Sequence, residues 1–136
     1  MSLDVLIIDD QALCIEQLST LVRERAPDAG IRVTDQPKAA AALLARARTD
    51  LIVVELSLPD LDREAGVGVL TRLTTAPVLV LDTRHDDAAL RACASAGASG
   101  YVTRSSGRDL VAAAIAVVLA GGRYFSTSDD LPIEPT

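Results

Sequence analysis

Acidic residues stand at or beside the ends of three apolar runs. Val5-Leu6-Ile7-Ile8 leads into Asp9-Asp10, Leu51-Ile52-Val53-Val54 into Glu55, and Val78-Leu79-Val80-Leu81 into Asp82. Which acids these are, and whether they gather at one place, decides whether chemistry is possible there. Short β-branched runs without alternation read as parallel strands buried on both faces. In open α/β sheets the ligand crevice lies outside the carboxyl ends of such strands, which is where these acids fall.

The elements that position them alternate along the chain. Strands are expected at Asp4–Asp9, Ile31–Thr34, Leu51–Leu56, Pro77–Asp82 and Tyr101–Thr103. Helices are expected at Gln11–Arg25, where Leu13, Ile15, Leu18, Leu21 and Val22 carry a helical period, and at Lys38–Arg48, Gly66–Thr74, Asp86–Ala96 and Ser106–Ala120. Asp86 and Asp87 suit the positive end of a helix dipole, and Gly121-Gly122 closes the last helix. Ser57–Ala65 reads as a polar loop. Five βα units joined by short connections predict a doubly wound parallel sheet over residues 1–125. The Ser-, Asp- and Pro-containing stretch 126–136 reads as a linker or tail.

Composition bounds the function. The 136 residues suit one domain, and 49% hydrophobic residues supply a core that, with 2% aromatics, is aliphatic. The net charge of −6, with Lys38 the sole lysine, argues against DNA binding by this segment. No apolar run nears the ~20 residues a membrane-spanning helix needs, and no signal segment opens the chain, so a cytoplasmic protein is expected. Cys14 and Cys93 are too few and too far apart for a disulfide framework or a zinc site and read as small core residues.

Five segments in order, VLIIDDQ, DLIVVELSLPDLD, APVLVLDT, AGASGYVTRS and DLVAAAIAVVLAGGRYFS, resemble the receiver domain of bacterial two-component response regulators, from about Asp4 to Phe125. The last segment is most similar to receivers that precede a LuxR/NarL-type helix-turn-helix. The resemblance implies a flavodoxin-like (βα)5 three-layer sandwich with a five-stranded parallel sheet of order 2-1-3-4-5. It also implies phosphoryl transfer from a histidine kinase to an Asp ending the third strand, with Mg2+ on the acidic pair. DNA would be reached only through a C-terminal domain beyond this chain.

Carried over position by position, the acidic pair is Asp9 and Asp10 and the strand-five aromatic is Tyr101. The phosphoacceptor position holds Glu55, which with the pair makes up the metal set. The switch hydroxyl position holds Asp82, with Thr83 next to it, and the Lys position holds Arg104. Arg63-Glu64-Ala65 read as a three-residue insertion into the loop before Gly66.

These departures have physical consequences. Glu55 carries its carboxylate outward by one bond, ~1.5 Å, and ~1 Å of misplacement costs roughly a hundredfold in an aligned displacement. Asp82 donates no hydrogen bond to a phosphoryl oxygen and repels it. Arg104 keeps a positive charge in a planar fork unlike an ammonium. Like charges on strands ~4.8 Å apart cost roughly 3 kcal/mol per pair at an effective dielectric near 20. Arg104 is therefore expected to bridge Glu55, Asp82 or both.

The expected function is regulatory and dimerising, not catalytic: an atypical receiver independent of phosphorylation. Within it, Glu55 is either a phosphate mimic or an inert remnant. Two alternatives stand beside it: a phosphoacceptor still using Mg2+ with Glu55 or Asp82, and a pseudo-receiver sensing a small ligand. Tyr101 reads as a core aromatic and His85 as an exposed loop histidine. Leu110–Ala120 runs without a charge, which predicts a homodimer through the last helix.

Overall fold

The computed structural model describes residues 2–126. Six strands, β1 (Asp4–Ile8), β2 (Gly30–Thr34), β3 (Leu51–Glu55), β4 (Val78–Asp82), β5 (Gly100–Thr103) and β6 (Tyr124–Phe125), form one sheet of order 2-1-3-4-5-6 in which every pair is parallel. Five helices cross between them: α1 (Ala12–Arg25), α2 (Ala40–Arg46), α3 (Arg63–Leu73), α4 (Asp87–Ser95) and α5 (Arg108–Leu119). This is the flavodoxin-like α/β sandwich.

The sheet is covered on both faces, which is why β1, β3 and β4 are continuous apolar runs. On one face Val5, Ile7, Leu51, Val53, Leu79, Leu81 and Val102 pack under Leu18, Leu21 and Val22 of α1 and Val111, Ile115 and Val118 of α5. On the other, Leu6, Ile8, Ile52, Val54, Val78, Val80 and Tyr101 pack under Ala40 of α2, Val67 and Leu70 of α3 and Ala89 and Cys93 of α4. Each strand thus sends alternate residues to opposite faces. Cys14 and Cys93 are buried free thiols, one in each layer.

The sheet has one strand more than expected. Tyr124-Phe125 is too short to carry a strand pattern, and pairing alone defines it: Tyr124 N–H donates to Ser99 O at 2.9 Å and Ser126 N–H to Tyr101 O at 3.3 Å. The expected tail therefore has a buried first residue, Ser126, and its remainder lies outside the described residues.

Helix starts also differ. A 3-10 turn at Pro37–Ala39 occupies the expected start of α2, and another at Arg104–Ser106 ends on the residue where α5 was expected to begin, so α5 starts at Arg108. The larger correction concerns Arg63, Glu64 and Ala65, which are the first turn of α3 rather than loop. Asp62 and Arg63 adopt left-handed backbone, with φ of 66° and 49°, a conformation of non-glycine residues that sequence patterns do not announce. That reversal lays the Leu61 carbonyl onto Gly66, where a Cβ would sit 1.8 Å from the Leu61 oxygen. Nor is the preceding segment all polar, since Leu56, Leu58 and Leu61 are buried beneath it. Among the described residues no helix is long and apolar enough to cross a membrane.

Candidate functional site

Asp9 directly follows β1, Glu55 ends β3, Asp82 ends β4 and Arg104 directly follows β5. All four sit at the carboxyl edge of the sheet, but alternation divides them. Asp9 follows Val5 and Ile7, Glu55 follows Leu51 and Val53, and Arg104 follows Val102, so these three belong to the face under α1 and α5. Asp82 follows Val78 and Val80 onto the opposite face, with Tyr101.

The first group is a closed charge cluster. Glu55 is 1% exposed, and Arg104 is 24% exposed at its side chain. Arg104 Nη2 donates to Glu55 Oε1, and Arg104 Nη1 to Gln11 Oε1 at 2.6 Å. The other Glu55 oxygen accepts from Ser57 N–H at 3.2 Å and from Ser57 Oγ–H at 2.7 Å. Asp9, also 1% exposed, accepts from Gln11 N–H at 3.0 Å through Oδ1, while Oδ2 has no hydrogen bond and lies 3.8 Å from Arg104 Nη2. Burial by itself lowers the Arg104 pKa; the charge of Glu55, with further help from Asp9, more than reverses this and leaves it above the ordinary value. Such a pair offsets its desolvation only when its lone pairs and protons are well bonded, and Gln11 and Ser57 supply those bonds.

The second group joins Asp82 to Tyr101. The Tyr101 hydroxyl donates to Asp82 Oδ2 at 2.5 Å and accepts from Asp86 N–H at 3.2 Å, and Thr83 N–H donates to Asp82 Oδ1 at 2.8 Å. Tyr101 is 0% exposed and Asp82 6%. Burial and the bond to Asp82 hold the Tyr101 hydroxyl well above its usual pKa. Asp86 caps α4, its Oδ1 accepting from Ala88 and Ala89 N–H, so one tyrosine ties the end of β4 to the start of α4.

Arg104 therefore bridges Glu55 but not Asp82, because they face opposite sides of the sheet. Tyr101 is a core aromatic, and its hydroxyl gives Asp82 the partner that Arg104 does not. His85 is not an exposed loop residue: its side chain is 13% exposed, its ring meets Tyr101 edge-on at 6.0 Å between centroids, and Nε2 lies 2.5 Å from Asp87 Oδ1. The hydrogen bond to His85 lowers the Asp87 pKa. Sequence reasoning missed Gln11 and Ser57. Their positions, two residues beyond Asp9 and Glu55, were the available signal, since a residue two further on is placed to bond a carboxylate locally.

Asp9 Oδ2 is a buried oxygen in want of a cation, but Asp10 is exposed, and among the described residues no three His, Cys, Asp or Glu side chains are arranged to hold a metal. As arranged, Asp9 and Glu55 fit the guanidinium of Arg104 rather than a metal.

A parallel 2-1-3-4-5-6 sheet with acids and an arginine at its carboxyl edge has the architecture of a receiver domain. Residues 5–116 match the response regulator receiver domain family, and the chain belongs to it. The chain is 35% identical over 107 residues to the transcriptional regulatory protein KdpE of Mycobacterium tuberculosis, covering 77% of this chain and 46% of that protein. It is 31% identical over 131 residues to the sensory transduction protein RegX3 of Mycobacterium bovis, covering 96% of this chain and 57% of that protein. The chain thus spans about half the length of these curated relatives. Among solved structures, a LuxR-family two-component response regulator from Aurantimonas sp. SI85-9A1 superposes with a TM-score of 0.83 at 25% identity, over 95% of this chain and 92% of that one. A LuxR-family DNA-binding response regulator from Silicibacter pomeroyi shares the fold, with a TM-score of 0.76 at 23% identity over 90% and 95% of the two chains.

Proposed function

We propose that this chain is an atypical receiver of a LuxR/NarL-type transcriptional regulator, regulatory and dimerising, that works without phosphoryl transfer. In this reading Glu55 stands at the phosphoacceptor position, Arg104 at the Lys position, and Asp82, Thr83 and Tyr101 at the switch positions. The observation that carries it is the saturation of Glu55: the carboxylate is buried, Arg104 holds one oxygen and Ser57 holds the other. A nucleophile in that state has no free approach for in-line attack. Arg104 supplies the positive charge against Asp9 and Glu55 that a metal cation would otherwise bring, so their charge is offset without one.

The output of the domain would be self-association through α5. Leu110, Ala113, Ala116 and Val117 form a half-buried, charge-free strip on that helix. The names of the relatives support a transcriptional output, exerted through a further DNA-binding domain in the cytoplasm. A histidine kinase, the family's phosphoryl donor, would then be dispensable as an input.

A second reading is favoured by the buried, hydrogen-bond-free Oδ2 of Asp9. There, Mg2+ on Asp9 and Asp10 takes the place of Arg104, and Glu55 or Asp82 accepts a phosphoryl group. Beryllofluoride with Mg2+, followed by amide NMR, separates the two. Spectra that match those with Mg2+ alone support the first; shifts clustered at Glu55, Asp82 and Arg104 overturn it.

A further inference from the structure

Tyr101 holds three elements at once. Its hydroxyl donates to Asp82 Oδ2 at the end of β4 and accepts from Asp86 N–H at the start of α4. Its carbonyl accepts from Ser126 N–H, just past β6, at 3.3 Å. Register adds a further link: Phe125 pairs with Tyr101, and both side chains enter the layer that α4 covers.

β6 is the shortest strand of the sheet. It has two residues, both half-buried, where the neighbouring β5 is buried throughout. Its seat is nonetheless built into β5. A Cβ added at Gly100 would stand 2.9 Å from the Tyr124 carbonyl oxygen, and glycine in a strand marks such a close approach of another backbone. Elements with few buried apolar contacts open locally at a lower free energy than the core. Opening of β6 moves the point at which the chain leaves the sheet from Ser126 back to Gly121-Gly122.

We propose that β6 is a detachable strap whose closure depends on the hydrogen bond between Tyr101 and Asp82. With that bond made, Tyr101 is fixed at its hydroxyl as well as in the strand. Phe125 then packs beside a rigid neighbour, and the chain leaves the sheet at Ser126. With it broken, the Tyr101 ring and the start of α4 are both released, Phe125 loses its support and β6 comes away from β5. The Asp82–Tyr101 cluster thereby sets where the chain departs from the domain. The proposal goes beyond the reading of Glu55 and stands whether or not Glu55 accepts a phosphoryl group.

Amide hydrogen exchange, followed by NMR in the full 136-residue chain, tests it in both directions. In the parent chain the Tyr124 and Ser126 amides are expected to exchange about a hundredfold faster than those of Val53 and Val80 in the sheet core. Equal protection at the two places would mean that β6 opens only with the whole domain, and would overturn the strap. In Tyr101→Phe, exchange at Tyr124 and Ser126 should rise about tenfold or more, together with Asp86. Faster exchange at Asp86 with no change at Tyr124 and Ser126 would overturn the coupling. Tyr124→Pro and, independently, Ser126→Pro each delete a strap donor. Coupling is reciprocal, so both variants should speed exchange at Asp86 by about the factor that Tyr101→Phe produces at β6. Exchange at Asp86 left unchanged by both would overturn the coupling even if Tyr101→Phe fails to fold.

Discussion

Glu55 and Asp82 end neighbouring strands yet face opposite sides of the sheet. Glu55 is in register with Leu81, so Asp82 lies one residue further along and, by alternation, on the other face. One register step converts a row of repelling carboxylates into two separately satisfied clusters, Glu55 with Arg104 and Asp82 with Tyr101. Each can be perturbed on its own.

Arg104→Met should destabilise the domain by about 3 kcal/mol, because it leaves the carboxylates of Glu55 and Asp9 buried without a cation. Urea denaturation measures the loss. Adding Glu55→Gln should recover part of it, so the two substitutions should be strongly non-additive in a double-mutant cycle. Additive effects would mean that the pair contributes nothing as a pair.

Tyr101→Phe removes the hydroxyl donor from Asp82 and the acceptor from Asp86 N–H while keeping the ring. A loss of about 1.5–3 kcal/mol is expected, the usual range for a hydrogen bond to a charged group. Amide exchange should accelerate at Asp86, Ala88 and Ala89, since the tie between β4 and α4 is cut. Unchanged exchange there would show that the α4 start is held by its Asp86 cap alone.

The buried thiols set an alkaline limit. Burial pushes Cys93 and Cys14 up from 9.0 to about 12. Below pH 9 both the folded and unfolded states keep these protons, so the thiols add no pH dependence. Between pH 9 and 12 the unfolded chain loses them while the folded one does not. Stability should then fall by ~1.4 kcal/mol per pH unit for each thiol. Denaturation midpoints measured from pH 8 to 11 check this, and Cys93→Ala should make the decline shallower.

Gly66→Ala places a methyl against the Leu61 carbonyl oxygen, at 1.8 Å before relaxation. The backbone on both sides of the Asp62–Arg63 reversal must shift, and a loss of about 3 kcal/mol or more is expected. Calorimetry of the variant reads it directly. A near-native melting temperature would mean that the reversal moves freely.

Ala113→Glu puts a charge on the half-buried strip of α5 without touching the sheet. If α5 is the self-association face, sedimentation should show the variant as a monomer at concentrations where the parent chain dimerises, with an unchanged melting profile at high dilution. A parent chain that is monomeric throughout would remove the dimer through α5.

Five of the six strands were legible as short runs without alternation and most helix spans from periodicity, and the presence of acids at strand ends followed from the apolar runs alone. The family resemblance added the sheet order and the site positions. Three features were not legible. The pair Tyr124-Phe125 is a strand only through its partner β5. The first turn of α3 depends on left-handed backbone at Asp62 and Arg63, where a nearby carbonyl and Gly66 decide the turn. His85 reads as solvated because its neighbours in sequence are polar, whereas its neighbour in space is the Tyr101 ring.

The sequence by itself determined a parallel, doubly covered α/β sheet with Asp9, Glu55 and Asp82 at its carboxyl edge, because short uninterrupted apolar runs leave few other ways to bury them; the family resemblance added Arg104. Only the tertiary structure decided which charge meets which. A strand apolar on both faces carries no mark of which residues belong to which layer, so the side on which Glu55 or Asp82 emerges is undefined until the strands pair in register and the helices cover them. That step placed Arg104 over Glu55 and Asp9, and left Asp82 to Tyr101.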